Sequence, residues 1–228
     1  MRLKAGILGH SFVERFLKAM RCAHKSSGMY KNMSLPEFSA KHLNLDQQFS
    51  HIAIEMDKCY LVRDLRWQAK AFREHPQLDC CLLVSGSNDL TSESIDPKRL
   101  AVELNAIGDY LLDGFGLKVV VFMGAIRRSK CRGMEPSLFA SKVKDFNKEL
   151  VRLCKQDSRK IFYSVKGFWR NENGTTDLPV KKFSGDGVHP GLSKSPCDRA
   201  VIKFTRNVRK ALLEAAGRIH KKDRRYLT

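Results

Sequence analysis

The sequence predicts an α/β fold: a parallel sheet of about five strands covered by helices on both faces. Three observations predict it. Short apolar runs rich in Val, Ile and Leu recur without polar alternation, the pattern of strands buried on both faces. Amphipathic segments with the helical period lie between them. The chain has 228 residues, which suits one domain whose core needs no staples.

Taken in order, Leu3–Leu8 reads as a short buried strand. Phe12–His24 reads as a helix with Val13, Phe16, Leu17 and Met20 on one face. The polar stretch Ser26–Gln48 is expected to be irregular, with one short helix, and Ser50–Glu55 to be the second strand. Asp57–Glu74 has a helical pattern. Leu78–Val84 is a strong buried strand that runs into the turn-rich SGSND. Cys80 and Cys81 point to opposite faces of it, which puts at least one of them in the core. Lys98–Leu112 is expected to be helical, Leu117–Ile126 a strand, Ser137–Cys154 helical and Lys160–Val165 the last strand. Asn171–Gly187 reads as loop, and Asp198–Ala216 as the last helix, followed by a basic tail. The expected division is one domain over 1–217 and a basic tail over 218–228.

Hydrophobic residues make up 43% and charged residues 29% of the chain, an ordinary balance for a globular domain. The net charge of +18 is not ordinary and favours an anionic partner. The seven cysteines are odd in number and form no C-x-x-C pair, so neither a disulfide framework nor a zinc ribbon is expected. His24, His42, His51, His75 and His220 have no metal-ligand spacing, and no phosphate-cradling loop is present. No cofactor is expected. A reducing, intracellular compartment is the simpler reading. The first apolar run is too short for a signal peptide, and no later one is long enough to span a bilayer.

Function in an open parallel sheet sits beyond the carboxyl ends of the strands. Gly9-His10-Ser11 follows the first strand, and Gly86-Ser87-Asn88-Asp89 follows the third. In the loop before the last helix comes SGDGVHPG, with Asp186 and His189 three apart. These are parts that acyl transfer needs. A serine hydroxyl is a poor nucleophile until a base takes its proton, and His189 would be that base. Asp186 would hold the imidazole in the right tautomer. The Ser11 backbone N–H and the Asn88 amide would receive the developing oxyanion.

These three blocks, with Pro190 after His189, resemble the SGNH, or GDSL-like, hydrolase superfamily in order and spacing, over nearly the whole chain. The resemblance implies a three-layer α/β/α, flavodoxin-like sheet of five parallel strands. It also implies Ser11 as nucleophile, Asp186 and His189 as its partners and Asn88 as oxyanion donor, with Gly9, His10, Gly86 and Asp89 supporting them. A looser likeness is to esterase-like domains of some retrotransposon-encoded proteins. Two positions depart from the pattern. His10 stands where the family usually has aspartate. No glycine occurs between Leu35 and Ser85 to supply the family's second-block N–H, so a donor near Met56 or Asp57 would have to serve.

Each block also has a plainer reading. Ser11 with Glu14 forms an S-x-x-E capping box, Asn88-Asp89 and Asp186-Gly187 are turn chemistry, and a lone His189 is a surface histidine. Trp67, Phe168 and Trp169 read as core or rim packing. Losing one oxyanion donor costs roughly 10²–10³ in rate. An alternative from another class therefore stands beside the small-acyl esterase: a catalytically weak or inactive module that binds nucleic acid through its basic surface. On the last helix Val201, Phe204, Val208, Leu212 and Ala215 mark the buried face. Arg199, Lys203, Arg206 and Lys210 line another, and the last three are the expected nucleic-acid contacts.

Overall fold

The computed structural model describes residues 2–56, 61–126, 131, 133–166 and 199–225, with side chains of the last helix described over 202–222. Five strands form one parallel sheet: β1 (Leu3–Gly9), β2 (Phe49–Glu55), β3 (Cys80–Val84), β4 (Val119–Met123) and β5 (Lys160–Tyr163). Their order across the sheet is β2-β1-β3-β4-β5. The helices are α1 (Ser11–Ser26), α2 (Leu35–His42), α3 (Leu65–Ala71), α4 (Pro97–Gly114), α5 (Pro136–Cys154) and α6 (Arg199–Arg225). The fold is the expected three-layer α/β/α arrangement.

Strand alternation splits the apolar residues into two cores. Ala5, Ile7, Ile52, Cys80, Val119 and Val121 face one way, against α1, α2 and α6. Leu8, Ala53, Cys81, Leu83, Val120 and Phe122 face the other, against α3, α4 and α5. Cys80 and Cys81 are therefore both core residues, and burial pushes both thiols well above their ordinary range.

β1 approaches its neighbours too closely for larger residues at two glycines. A Cβ on Gly6 would lie 2.2 Å from Cζ of Phe72, and one on Gly9 would lie 2.3 Å from the Val84 carbonyl oxygen. Gly86 has φ +97°, and its missing Cβ leaves room for Phe146.

Four elements differ from the sequence reading. Ser11 does not cap α1: His10 does, in extended conformation, with its Nδ1 accepting a 3.4 Å hydrogen bond from Phe12 N–H. The capping box lies instead at α2, where the Ser34 hydroxyl and the Glu37 carboxylate bond each other's backbone N–H. The described part of Asp57–Glu74 is helical only over Leu65–Ala71, with 3₁₀ turns at Val62–Asp64 and Phe72–Glu74. The last helix continues past Ala216 to Arg225, because Ile219 is buried in the core. Trp67 is 72% exposed and is neither core nor rim. No described helix is long and apolar enough to cross a membrane.

Candidate active site

The strand order reverses direction between β1 and β3, since the chain runs from β1 out to β2 and then back across β1 to β3. The crevice beyond the carboxyl ends at such a point is where ligands bind in open α/β sheets. Register brings the first three strand ends level: Gly9 pairs with Val84, and Leu8 with Glu55. The block Gly9-His10-Ser11 and the block Gly86-Ser87-Asn88-Asp89 thus leave neighbouring strands at one edge.

Ser11 is the first residue of α1 and is half-buried. First-turn N–H groups have no acceptor within the helix, and the macrodipole makes this end positive. Directly before Ser11, His10 is 1% exposed. The ladder of β1 continues into it, since His10 N–H donates to the Val84 carbonyl at 3.2 Å. That bond keeps His10 extended, so the helix begins one residue earlier than a Ser11 cap would require. With Nδ1 occupied by Phe12 N–H, the neutral ring carries its proton on Nε2. An imidazole nitrogen here does the capping that a carboxylate oxygen would do.

On the other side of the crevice, Gly86 turns the chain and Asn88 precedes the 3₁₀ turn Asp89–Thr91. Asn88 is half-buried, and its carbonyl accepts from Thr91 N–H and from the Thr91 hydroxyl. Asp89 is buried, and its two carboxylate oxygens accept from Val62 N–H at 3.1 and 3.3 Å. Burial pushes its pKa up to about 6, against the opposing pull of that N–H. The acid fastens the segment following β2 to the block following β3. Met56 is half-buried, whereas Asp57, the other candidate for the second-block donor, lies outside the described residues. So do Asp186 and His189, and Phe168 and Trp169.

Three side-chain amides that the motif search missed hold the same edge. Gln68 is buried and its Nε2 donates to the Gly9 carbonyl at 3.2 Å. Asn147 brackets Ala125, just past β4, accepting from its N–H at 2.8 Å and donating to its carbonyl at 3.1 Å. Asn207 on α6 does the same to Lys166, just past β5, at 2.8 and 3.1 Å. Polar residues on otherwise apolar helix faces were the available signal for Gln68 and Asn207. Of the expected polyanion contacts, Lys203 is half-buried, with its carbonyl accepting from the Asn207 amide, and Arg206 and Lys210 are exposed on α6. Among the described residues no cluster of His, Cys, Asp and Glu could hold a metal ion.

No family model matches the chain, and no curated protein matches it in sequence. Solved structures do. A protein from Streptococcus pneumonia, provisionally named a platelet activating factor, is 14% identical with a TM-score of 0.62, over 95% of this chain and 85% of that one. A protein from Bacteroides fragilis, provisionally named an acylhydrolase, is 12% identical with a TM-score of 0.60, over 93% and 88%. A serine-to-alanine mutant of an acetyl esterase, crystallised with acetate ion, is 11% identical with a TM-score of 0.57, over 95% and 99%. At these identities the likeness is one of fold: the chain has the α/β architecture on which acylhydrolases and acetyl esterases are built.

Proposed function

We propose that this chain is a serine hydrolase of SGNH type that cleaves a small acyl ester such as an acetyl group. The observation that carries the reading is the seat of Ser11: the first residue of α1, beyond the carboxyl end of β1, across the β1–β3 switch point from Asn88. Ser11 Oγ attacks the ester carbonyl as His189 takes its proton, with Asp186 holding the imidazole. Ser11 N–H and the Asn88 amide stabilise the oxyanion. The carbonyl re-forms as the C–O bond breaks, and His189 returns the proton to the leaving alcohol. Water, activated by the same histidine, then releases the acid and frees Ser11. The hydrolase domain would extend beyond the expected boundary at 217, because Ile219 belongs to its core.

Labelling by a fluorophosphonate probe tests this. Wild type is expected to be labelled and Ser11→Ala to be silent at unchanged thermal stability. Labelling that survives in Ser11→Ala overturns the assignment.

A second reading, association with a polyanion, rests on the net charge of +18. It does not compete with the first, because its candidate residues Lys203, Arg206 and Lys210 are not part of the catalytic set.

A further inference from the structure

The excess positive charge is divided unequally between the two helical layers. The helices α1, α2 and α6 carry fifteen lysines and arginines against four acids. The helices α3, α4 and α5 carry eight against five. Ion pairing widens the difference. On the second side Arg99 pairs with Glu103, Arg152 with Glu149, Arg159 with Asp113 and Asp157, and Lys160 with Asp109. On the first side Lys18 pairs with Glu14, whereas Arg206, Lys210 and Lys221 are exposed and form no ion pair among the described residues. Lys221 joins this stripe because α6 does not stop at Ala216. It lies eleven residues beyond Lys210, about three full turns, and so on the same side of the helix.

We propose that the exposed face of α6 binds the phosphate backbone of double-stranded nucleic acid without reading its sequence. The proposal deepens the polyanion reading and is independent of Ser11. α6 has 27 residues and is about 40 Å long. A duplex presents one charge per ~1.7 Å of axis, so many phosphates fall within reach. α1 lies alongside α6, with Phe12 and Phe16 packed edge-on against Phe204.

Two other polyanions fit less well. A membrane-surface helix needs exposed apolar side chains to insert. The apolar face of α6 is consumed by the core, where Phe204, Val208, Leu212, Ala215 and Ile219 are all buried, and among its described large apolar side chains Ile202 alone is exposed. Single strands are held by base stacking on aromatic side chains. The exposed aromatic among the described residues, Trp67, sits in the opposite layer beneath Lys70.

The test is fluorescence anisotropy of a 20-base-pair DNA duplex of arbitrary sequence, titrated with the full chain between about 50 and 200 mM salt, the range over which a phosphate-dominated affinity falls steeply. The variant Arg206→Glu/Lys210→Glu/Lys221→Glu is compared with Lys144→Glu/Lys148→Glu/Lys155→Glu, which makes the same charge change on exposed positions of α5 and the turn after it. Circular dichroism melts check that both are folded. The α6 variant is expected to bind at least tenfold more weakly and to flatten the log–log salt slope by about 2.7, at about 0.9 per lost phosphate contact. The α5 variant is expected to keep most of both. Equal losses in the two variants would overturn the assignment to α6 and leave a diffuse charge effect. No binding by wild type at about 50 mM salt, where phosphate contacts are strong, would overturn the polyanion reading itself. Binding to phosphatidylserine vesicles but not to the duplex would overturn it in favour of a membrane.

Discussion

Val62 N–H donates to both carboxylate oxygens of Asp89, across 27 residues of chain. The acid is buried, with Asp64 and Glu103 adding repulsion, and its pKa is pushed up to about 6. The folded state thus holds this proton more tightly than the unfolded chain, where an aspartate titrates near 3.9. The contribution to stability is therefore lost as pH rises from about 4 to about 6, by about 3 kcal/mol at most. Asp89→Asn keeps an acceptor for Val62 N–H and removes the buried charge. It is expected to raise the urea midpoint at pH 7.5 and leave it unchanged at pH 4. A lower midpoint at pH 7.5 would show that the charge itself holds the loop.

The cap of α1 separates His10 from Ser11. His10→Ala removes the acceptor for Phe12 N–H and is expected to cost about 1 kcal/mol for the cap alone, with further loss from the buried ring. His10→Asp restores an acceptor at that position and is expected to recover the cap. Ser11→Ala removes no cap and is expected to change stability by less than about 0.5 kcal/mol and to abolish ester hydrolysis. Thermal melts of the three variants beside an aryl acetate assay check this.

Gly6 and Gly86 are both closed to a side chain, for different reasons. Alanine at Gly6 meets the Phe72 ring and at Gly86 meets the Phe146 ring, but only Gly86 has positive φ. Both substitutions are expected to cost more than about 1–2 kcal/mol. Pairing Gly6→Ala with Phe72→Leu is expected to recover much of the loss. Pairing Gly86→Ala with Phe146→Leu recovers less, because the left-handed backbone remains strained. Chemical denaturation of the two double mutants measures the difference.

Ester hydrolysis is expected to fall away below about pH 6–7, where a catalytic histidine such as His189 becomes cationic and stops acting as base. Asp186→Asn is expected to lower kcat by orders of magnitude by favouring the wrong tautomer. A pH–rate profile that is flat from pH 5 to 9 would assign the chemistry to another group.

β3 and β4 were readable because each is a continuous apolar run, and β1, β2 and β5 because each holds a shorter one, and the order of the blocks pointed to one sheet edge. Boundaries failed where tertiary contacts override local pattern. Ser11 has the right spacing to Glu14 for a cap, yet the β1 ladder holds His10 extended and starts the helix there. The helical pattern reads only as far as Ala216, yet burial of Ile219 carries α6 beyond it. Phe72–Glu74 tightens into a 3₁₀ turn because His75 precedes Pro76, which disfavours the α conformation. The bonds of Asp89, Gln68, Asn147 and Asn207 join residues 22 to 59 apart in the chain, and no periodicity encodes such pairs.

The burial of Ile219 also sets an order of events during synthesis. Val119, Val121 and Met123 on β4 share their core with Val208, Leu212, Ala215 and Ile219 of α6. Ile219 lies 96 residues beyond Met123, the end of β4, a stretch that at ribosomal speeds takes about 5–20 s. Over that interval one face of the strand stands without its cover, an apolar surface open to other nascent chains. Completion of the fold therefore waits for the most basic of the described helices, whose like charges keep neighbouring copies apart as the exposed face closes.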